Sequence, residues 1–165
     1  MSSGKLEHKD ENGKLRYNFH VSQKESFAYA SKINTKQEKT IYHIILSEVV
    51  LNQRYRRADC TSSNLAKEFG LNTSNISAVL RKRFGKTFPE LVNECRIKDA
   101  ITILQDKRFD KTSAEQVGLT VGFGNRQTFY ASFYKFLGVS PALYRKLYVQ
   151  GDAPILNPIM ASKTE

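Results

Sequence analysis

From Ile41 onward the apolar residues of this chain recur at helical spacing, and polar and glycine-containing breaks divide them into about seven segments. The first helix is marked by Ile41, Ile44, Ile45 and Val49 and is expected to end in the basic run Arg54-Tyr55-Arg56-Arg57. Thr61 or Ser62 caps a second helix over Leu65, Ala66 and Phe69, since a hydroxyl satisfies one orphan N–H of the first turn. Gly70-Leu71 makes a turn, and Asn72 or Thr73 caps a third helix running to about Phe84. Its inner face is Ile76, Val79 and Leu80; its outer face is Ser74, Ser77, Ala78 and Arg81. Thr87-Phe88-Pro89-Glu90 is a capping box with proline early in the helix, and the fourth helix follows to roughly Gln105. Ser113 to Gln116 has the same box spacing and opens a fifth helix, which ends in a tight turn at Gly122-Phe123. A sixth starts near Asn125, with Phe129, Phe133, Phe136 and Leu137 as its core stripe, and Ser140-Pro141 starts a seventh through Tyr148.

Two of these stretches repeat one another. Leu65-Ala66, Gly70, Ile76 and Leu80 in the first copy match Val117-Gly118, Gly122, Phe129 and Phe133 in the second, which has one extra turn residue. A small residue lets two helices approach, a glycine four on takes the left-handed turn, and the next large residue fills the gap between them. The copies lie roughly fifty residues apart, so the chain contains a duplicated unit. Two helices joined by such a turn, the second opening on polar residues unsuited to a core (Asn125, Arg126, Gln127), have the form of a DNA-reading helix-turn-helix.

Residues before this pattern differ. Leu15, Tyr17, Phe19 and Val21 alternate with polar residues after Asn12-Gly13, so residues 5–21 read either as a β-hairpin or as part of a flexible arm. Thr35 to Thr40 reads as a polar linker. The expected organisation is an N-terminal arm and linker (1–38) and an all-α domain (39–149), followed by a flexible tail (150–165) broken by Pro154 and Pro158. Within the domain, lobe one covers about 41–86, a linker helix 87–105 and lobe two about 106–149.

Charge narrows the partner. The 165 residues carry 26 Lys+Arg against 16 Asp+Glu, a formal +10, which favours an anionic ligand without choosing among nucleic acid, ribosome and membrane surface. No apolar run is long enough to span a bilayer and no signal peptide is visible, so a cytoplasmic, nucleoid-associated protein is expected. Cys60 and Cys95 do not make a disulfide framework, and His8, His20 and His43 are scattered without ligand spacing. No metal, cofactor or catalytic constellation is expected.

The residues Arg96, Ala100 and Leu104, then Val117, Val121-Gly122-Phe123, Phe129, Phe133 and Gly138-Val139-Ser140-Pro141 with Tyr144-Arg145, resemble the C-terminal signature of AraC/XylS-type transcription regulators. The resemblance covers roughly residues 41–149. It implies a bacterial, homeodomain-like domain of two helix-turn-helix lobes joined by the fourth helix, which binds double-stranded promoter DNA and mostly activates transcription by contacting RNA polymerase. Transferred by that resemblance, the base-reading positions fall on Ser74, Ser77 and Ala78 in the first lobe and on Arg126, Gln127 and Ala131 in the second. Asn125, at the polar leading edge of the sixth helix, joins them. Phosphate or sugar contacts are expected from Arg81, Lys82, Lys86, Tyr130 and Lys135.

Three departures from the family pattern matter. Ala78 and Ala131 stand where a long donor is common, so base reading should lean on Arg126 and Gln127, suited to guanine and adenine edges. Leu80 replaces the usual Phe. Gly118 replaces the usual Ala, which should weaken the fifth helix by up to about 1 kcal/mol. Two other roles compete with an activator: an architectural or mobile-element DNA-binding protein, and the targeting module of a DNA-modifying enzyme. The enzyme reading lacks a nucleophile or carboxylate cluster outside residues 41–149. A monomer or weak dimer is expected.

Overall fold

Asn34 caps the first described helix. Its side-chain oxygen accepts a hydrogen bond from the Gln37 N–H at 2.8 Å, and helix α1 runs from Thr35 to Ile44. The computed structural model describes residues 33–150, with side chains to Tyr148, so the hairpin expected within 5–21 and the tail after Gln150 lie outside the described residues. Thr35–Thr40 is therefore not a linker: it is the first half of α1, and Glu38 within it is buried. Past Ile44 the helix widens into a π-type segment, Ile45–Leu51, and ends before the basic run rather than in it. Gln53 then takes a left-handed backbone (φ 54°), and Arg54–Arg56 forms a short 3-10 turn.

The next six helices follow the capping signals. They are α2 (Ser62–Phe69, capped by Thr61), α3 (Thr73–Phe84, capped by Asn72) and α4 (Phe88–Gln105), then α5 (Ala114–Thr120), α6 (Arg126–Leu137, capped by Asn125) and α7 (Pro141–Gln150). Both predicted capping boxes close, Thr87 with Glu90 and Ser113 with Gln116. A short 3-10 turn, Lys107–Phe109, separates α4 from α5. No strand occurs among the described residues.

The duplication is visible in the backbone itself. In the first copy the Leu71 N–H donates to the Ala66 carbonyl at 2.8 Å; in the second the Phe123 N–H donates to the Gly118 carbonyl at 3.0 Å. Each bond spans five residues across a glycine with positive φ, Gly70 at 62° and Gly122 at 103°. The small residues sit where the helices touch. Ala66 is buried, and a Cβ added at Gly118 would lie 2.6 Å from both Cγ and Cδ1 of the Phe129 ring. Gly118 is therefore not a plain weakness in α5. It is the recess that a fully buried Phe129 occupies, and the helix-propensity expectation is outweighed by packing.

The core divides in two. One apolar cluster includes Ile41, Ile45, Leu65, Ile76, Leu80 and Val92; the other includes Ile97, Leu104, Val117, Phe129, Phe133 and Tyr144. Helix α4 contributes to both, Leu91 and Val92 to the first, Ile97 and Ala100 to the second. At 1.5 Å per residue its 18 residues span about 27 Å, so it is the rod that carries a bihelical unit at each end.

Candidate nucleic-acid interface

Helix α3 presents its first turn to solvent because Asn72 caps it there, accepting from the Ser74 N–H at 2.8 Å. Thr73, Ser74 and Ser77 are exposed. The Ser77 hydroxyl donates to the Thr73 carbonyl at 3.0 Å, which leaves its lone pairs rather than its proton for a ligand. Ala78 corrects the expected outer face. It is 7% exposed, and α1 packs along α3, so the reading edge of this helix is narrower than its sequence suggests and excludes Ala78.

Helix α6 offers the richer edge. Asn125, Arg126, Gln127 and Ala131 are all exposed at its N-terminal half. Asn125 is partly committed, since its side-chain oxygen accepts from the Thr128 N–H at 2.8 Å to cap the helix. The Arg126 guanidinium lies 4.8 Å from the centroid of the Tyr130 ring, a cation–π contact that orients a long side chain. Tyr130 itself is half-buried and meets Phe129 edge-on at 5.8 Å, so it packs and at the same time carries the arginine. Tyr134, one turn beyond Ala131 on the same side, is 63% exposed. Sequence reasoning passed over it; the i, i+4, i+7 spacing of Ala131 and Tyr134 from Gln127 was the available signal.

The cations expected at phosphates are more heavily paired than composition suggests. Lys82 and Arg83 both meet the buried carboxylate of Glu38, at 2.7 Å each. The Lys82 hydrogen bond holds the Glu38 carboxyl below the usual carboxylate range, against the opposing effect of burial, and Arg83 adds to it. Lys86 pairs at 2.5 Å with Glu94, which also takes Lys98 at 2.9 Å. Burial opposes ionisation of Glu94, but the two lysines together keep its carboxyl below the ordinary range. Lys135 stands 3.6 Å from Glu90 with much of its side chain in solvent. Arg81 is half-buried and has no ion-pair partner among the described residues. The end of α3 is thus a basic surface backed by an internal acid, Glu38. A helix phase counted back from Ile41 toward the Asn34 cap would have located that acid.

Cys60 is buried and Cys95 half-buried, and burial pushes both thiols up, to about 11 for Cys95, so neither is an activated nucleophile. Among the described residues no group of three His, Cys, Asp or Glu gathers to hold a metal, and no helix is long and apolar enough to cross a membrane.

Comparison with known proteins agrees with this layout. A family model described as a helix-turn-helix domain matches residues 65–147. The melibiose operon regulatory protein of Escherichia coli K12 is 30% identical over 90 residues, covering 54% of this chain and 29% of that protein. The chain thus matches less than a third of that relative's length. Among solved structures, a protein of unknown function from Listeria innocua superposes with TM-score 0.57 at 23% identity, over 65% of this chain and 96% of that one. The C-terminal domain of AraT, a response regulator from Geobacillus stearothermophilus, does so with TM-score 0.54 at 19% identity, over 70% and 87%. An AraC-type DNA-binding regulator from Chromobacterium violaceum gives TM-score 0.53 at 20% identity, over 64% and 92%. At these identities the structures establish the fold.

Proposed function

The chain belongs to the AraC-type helix-turn-helix family of DNA-binding transcription regulators, and from that premise we propose that it binds a specific double-stranded DNA site with both lobes and activates transcription there. The observation that carries the reading is the duplicated cap. Asn72 and Asn125 each stop the chain in extended conformation and start a 12-residue helix whose first turn is polar and exposed. In each lobe a shorter helix packs its buried face against the reader, α2 against α3 through Leu65 and Ala66 and α5 against α6 through Val117 and Gly118.

Base reading then falls to Ser74 and Ser77 in lobe one and to Arg126, Gln127 and Ala131 in lobe two, with Asn125 restricted by its capping bond. Arg126 and Gln127 carry most of the discrimination, because a guanidinium matches guanine O6 and N7 and a carboxamide matches adenine N6 and N7. Lobe one, with short hydroxyls at its edge, contributes mainly position and shape. Lys82, Arg83, Lys135 and Arg81 supply the electrostatic part, which is sequence-independent and salt-sensitive.

RNA polymerase as a partner is part of this proposal. So is a monomer that covers one site with its two lobes. Selection of bound sequences from a random DNA pool tests both the binding and the stoichiometry. Enrichment of one site spanning two successive major grooves, about 34 Å apart, supports a monomer using both lobes. Enrichment of a longer repeat means a dimer, and no enrichment refutes sequence-specific binding. Transcription from the enriched site, with and without the protein, then tests activation.

A further inference from the structure

Among the described residues the two apolar clusters share no member, so neither core by itself holds the lobes at a fixed angle. A set of polar contacts around the middle of α4 does. Arg96 turns its guanidinium back onto lobe one, where Nε donates to the Tyr55 carbonyl at 2.6 Å and Nη2 donates to the Arg57 carbonyl at 3.0 Å. The other side of the same guanidinium lies 5.5 Å from the centroid of Phe123, in the turn of lobe two. One helical step on, Asp99 accepts from the Tyr55 hydroxyl at 2.9 Å and from Arg56 Nε at 2.7 Å. Burial and the Asp99 contact push the Tyr55 phenol up to about 12, so it remains a donor at any physiological pH.

Gly122 completes the contact. It sits directly against the main chain of lobe one, and a Cβ there would lie 2.7 Å from the Arg56 carbonyl carbon and 2.9 Å from its Cα. The turn of the second helix-turn-helix therefore rests on the segment Arg54–Arg57 of the first, while α4 clasps that segment from its own side.

We propose that this joint (Arg56, Arg96 and Asp99 with the Gly122 turn) fixes the relative setting of α3 and α6, and so sets the length of DNA site the protein accepts. The proposal rests on the DNA-reading function above. Its physical need is lever arithmetic. With the joint midway between readers about 34 Å apart, each arm is about 17 Å, and a rotation of about 11° moves one reader by about 3.4 Å, one base-pair step. A single 18-residue helix tied to nothing else bends that far easily, since long helices curve. Two charge-assisted hydrogen bonds, two bonds to main-chain carbonyls and one backbone-to-backbone contact remove that freedom. Asp99 and Arg56 are then positioning residues, which govern specificity through spacing without touching a base.

The test measures spacing tolerance rather than affinity. Fluorescence anisotropy would give the affinity of the full chain for its selected site and for sites with one base pair inserted or deleted between the two half-sites. Wild type is expected to lose about 100-fold on either altered site, because the contacts of one lobe fall out of register. Asp99→Asn, which keeps the shape but removes the charge, is expected to reduce that loss to about tenfold or less, and to enrich sites of mixed spacing from a random pool. Arg56→Gln, at a side chain nearly half exposed, is the second variant and has the same expected result. A ratio between selected and altered sites that matches wild type, in variants with unchanged helical circular dichroism, would overturn the joint while leaving DNA reading intact. A wild-type chain that enriches no sequence would overturn DNA reading, and the joint's role with it.

Discussion

Replacing Gly118 by alanine sets two forces against each other with known sizes. Within a helix interior alanine is favoured over glycine by about 1 kcal/mol, so propensity alone makes Gly118→Ala stabilising. Packing opposes it. The new Cβ would stand 2.6 Å from Cγ and Cδ1 of Phe129, closer than real Cβ contacts come, and 3.0 Å from its Cβ, tighter than nearly all of them. The ring has no room to retreat, because it is fully buried and is flanked by Phe123 at 5.2 Å and Phe133 at 5.6 Å between centroids. Overpacking of this kind costs about 1–3 kcal/mol, so the net effect is a destabilisation of up to about 2 kcal/mol. Urea unfolding followed by far-ultraviolet circular dichroism reads it as a lower midpoint with an unchanged slope. A double-mutant cycle identifies the cause. Gly118→Ala combined with Phe129→Leu should be less damaging than the sum of the single changes, by about 1 kcal/mol or more. A single variant more stable than wild type by about 1 kcal/mol, or strict additivity in the cycle, would refute the packing argument.

Other consequences are testable alongside. Arg126→Ala should cost about 1–3 kcal/mol on the selected site and relax preference at one base pair; equal loss on random DNA would exclude a base-reading role. Lys82→Ala should weaken all sequences alike and reduce the slope of log affinity against log salt by about one, whereas an unchanged slope would show that Glu38 alone uses this lysine. Glu38 and Glu94 titrate below the ordinary range in the folded chain, the first through Lys82 and the second through Lys86 and Lys98 against burial. Their stabilisation is therefore complete above the unfolded glutamate value of about 4.3 and drains away as pH falls through the lower folded values. Melting temperature should be flat from neutrality to about pH 5.5, then fall, and fall less steeply in Glu38→Gln; identical acid profiles for the two proteins would contradict the pairing.

The parts of this molecule that could be read from the chain are those settled within three or four residues. Thr61, Asn72, the Thr87–Glu90 and Ser113–Gln116 boxes and Asn125 all bond to main-chain groups two or three positions ahead, so residue order alone placed these helix starts. The repeat was legible for the same reason, since a small residue, a glycine and a large apolar residue define each turn locally. What escaped depends on partners far along the chain. Glu38 looks like linker composition until Lys82 and Arg83 arrive 44 and 45 residues later. Ala78 looks like an outer-face residue until α1 is laid against α3. Gly118 looks like a defect until Phe129 fills it. Asp99 is one more helical acid until the Tyr55 hydroxyl, 44 residues earlier, points at it.

The buried carboxylate of α1 also decides what a shortened version of the domain must keep. A shortened version started at Ile41, where the apolar periodicity opens, would retain the whole family signature and both apolar clusters. It would lack the Asn34 cap and the one acid that Lys82 and Arg83 share, so two neighbouring cations would face each other across an emptied socket at the exit of a reading helix. Anyone trimming the gene should keep Ile33, which packs against the first cluster, together with Asn34 and Glu38.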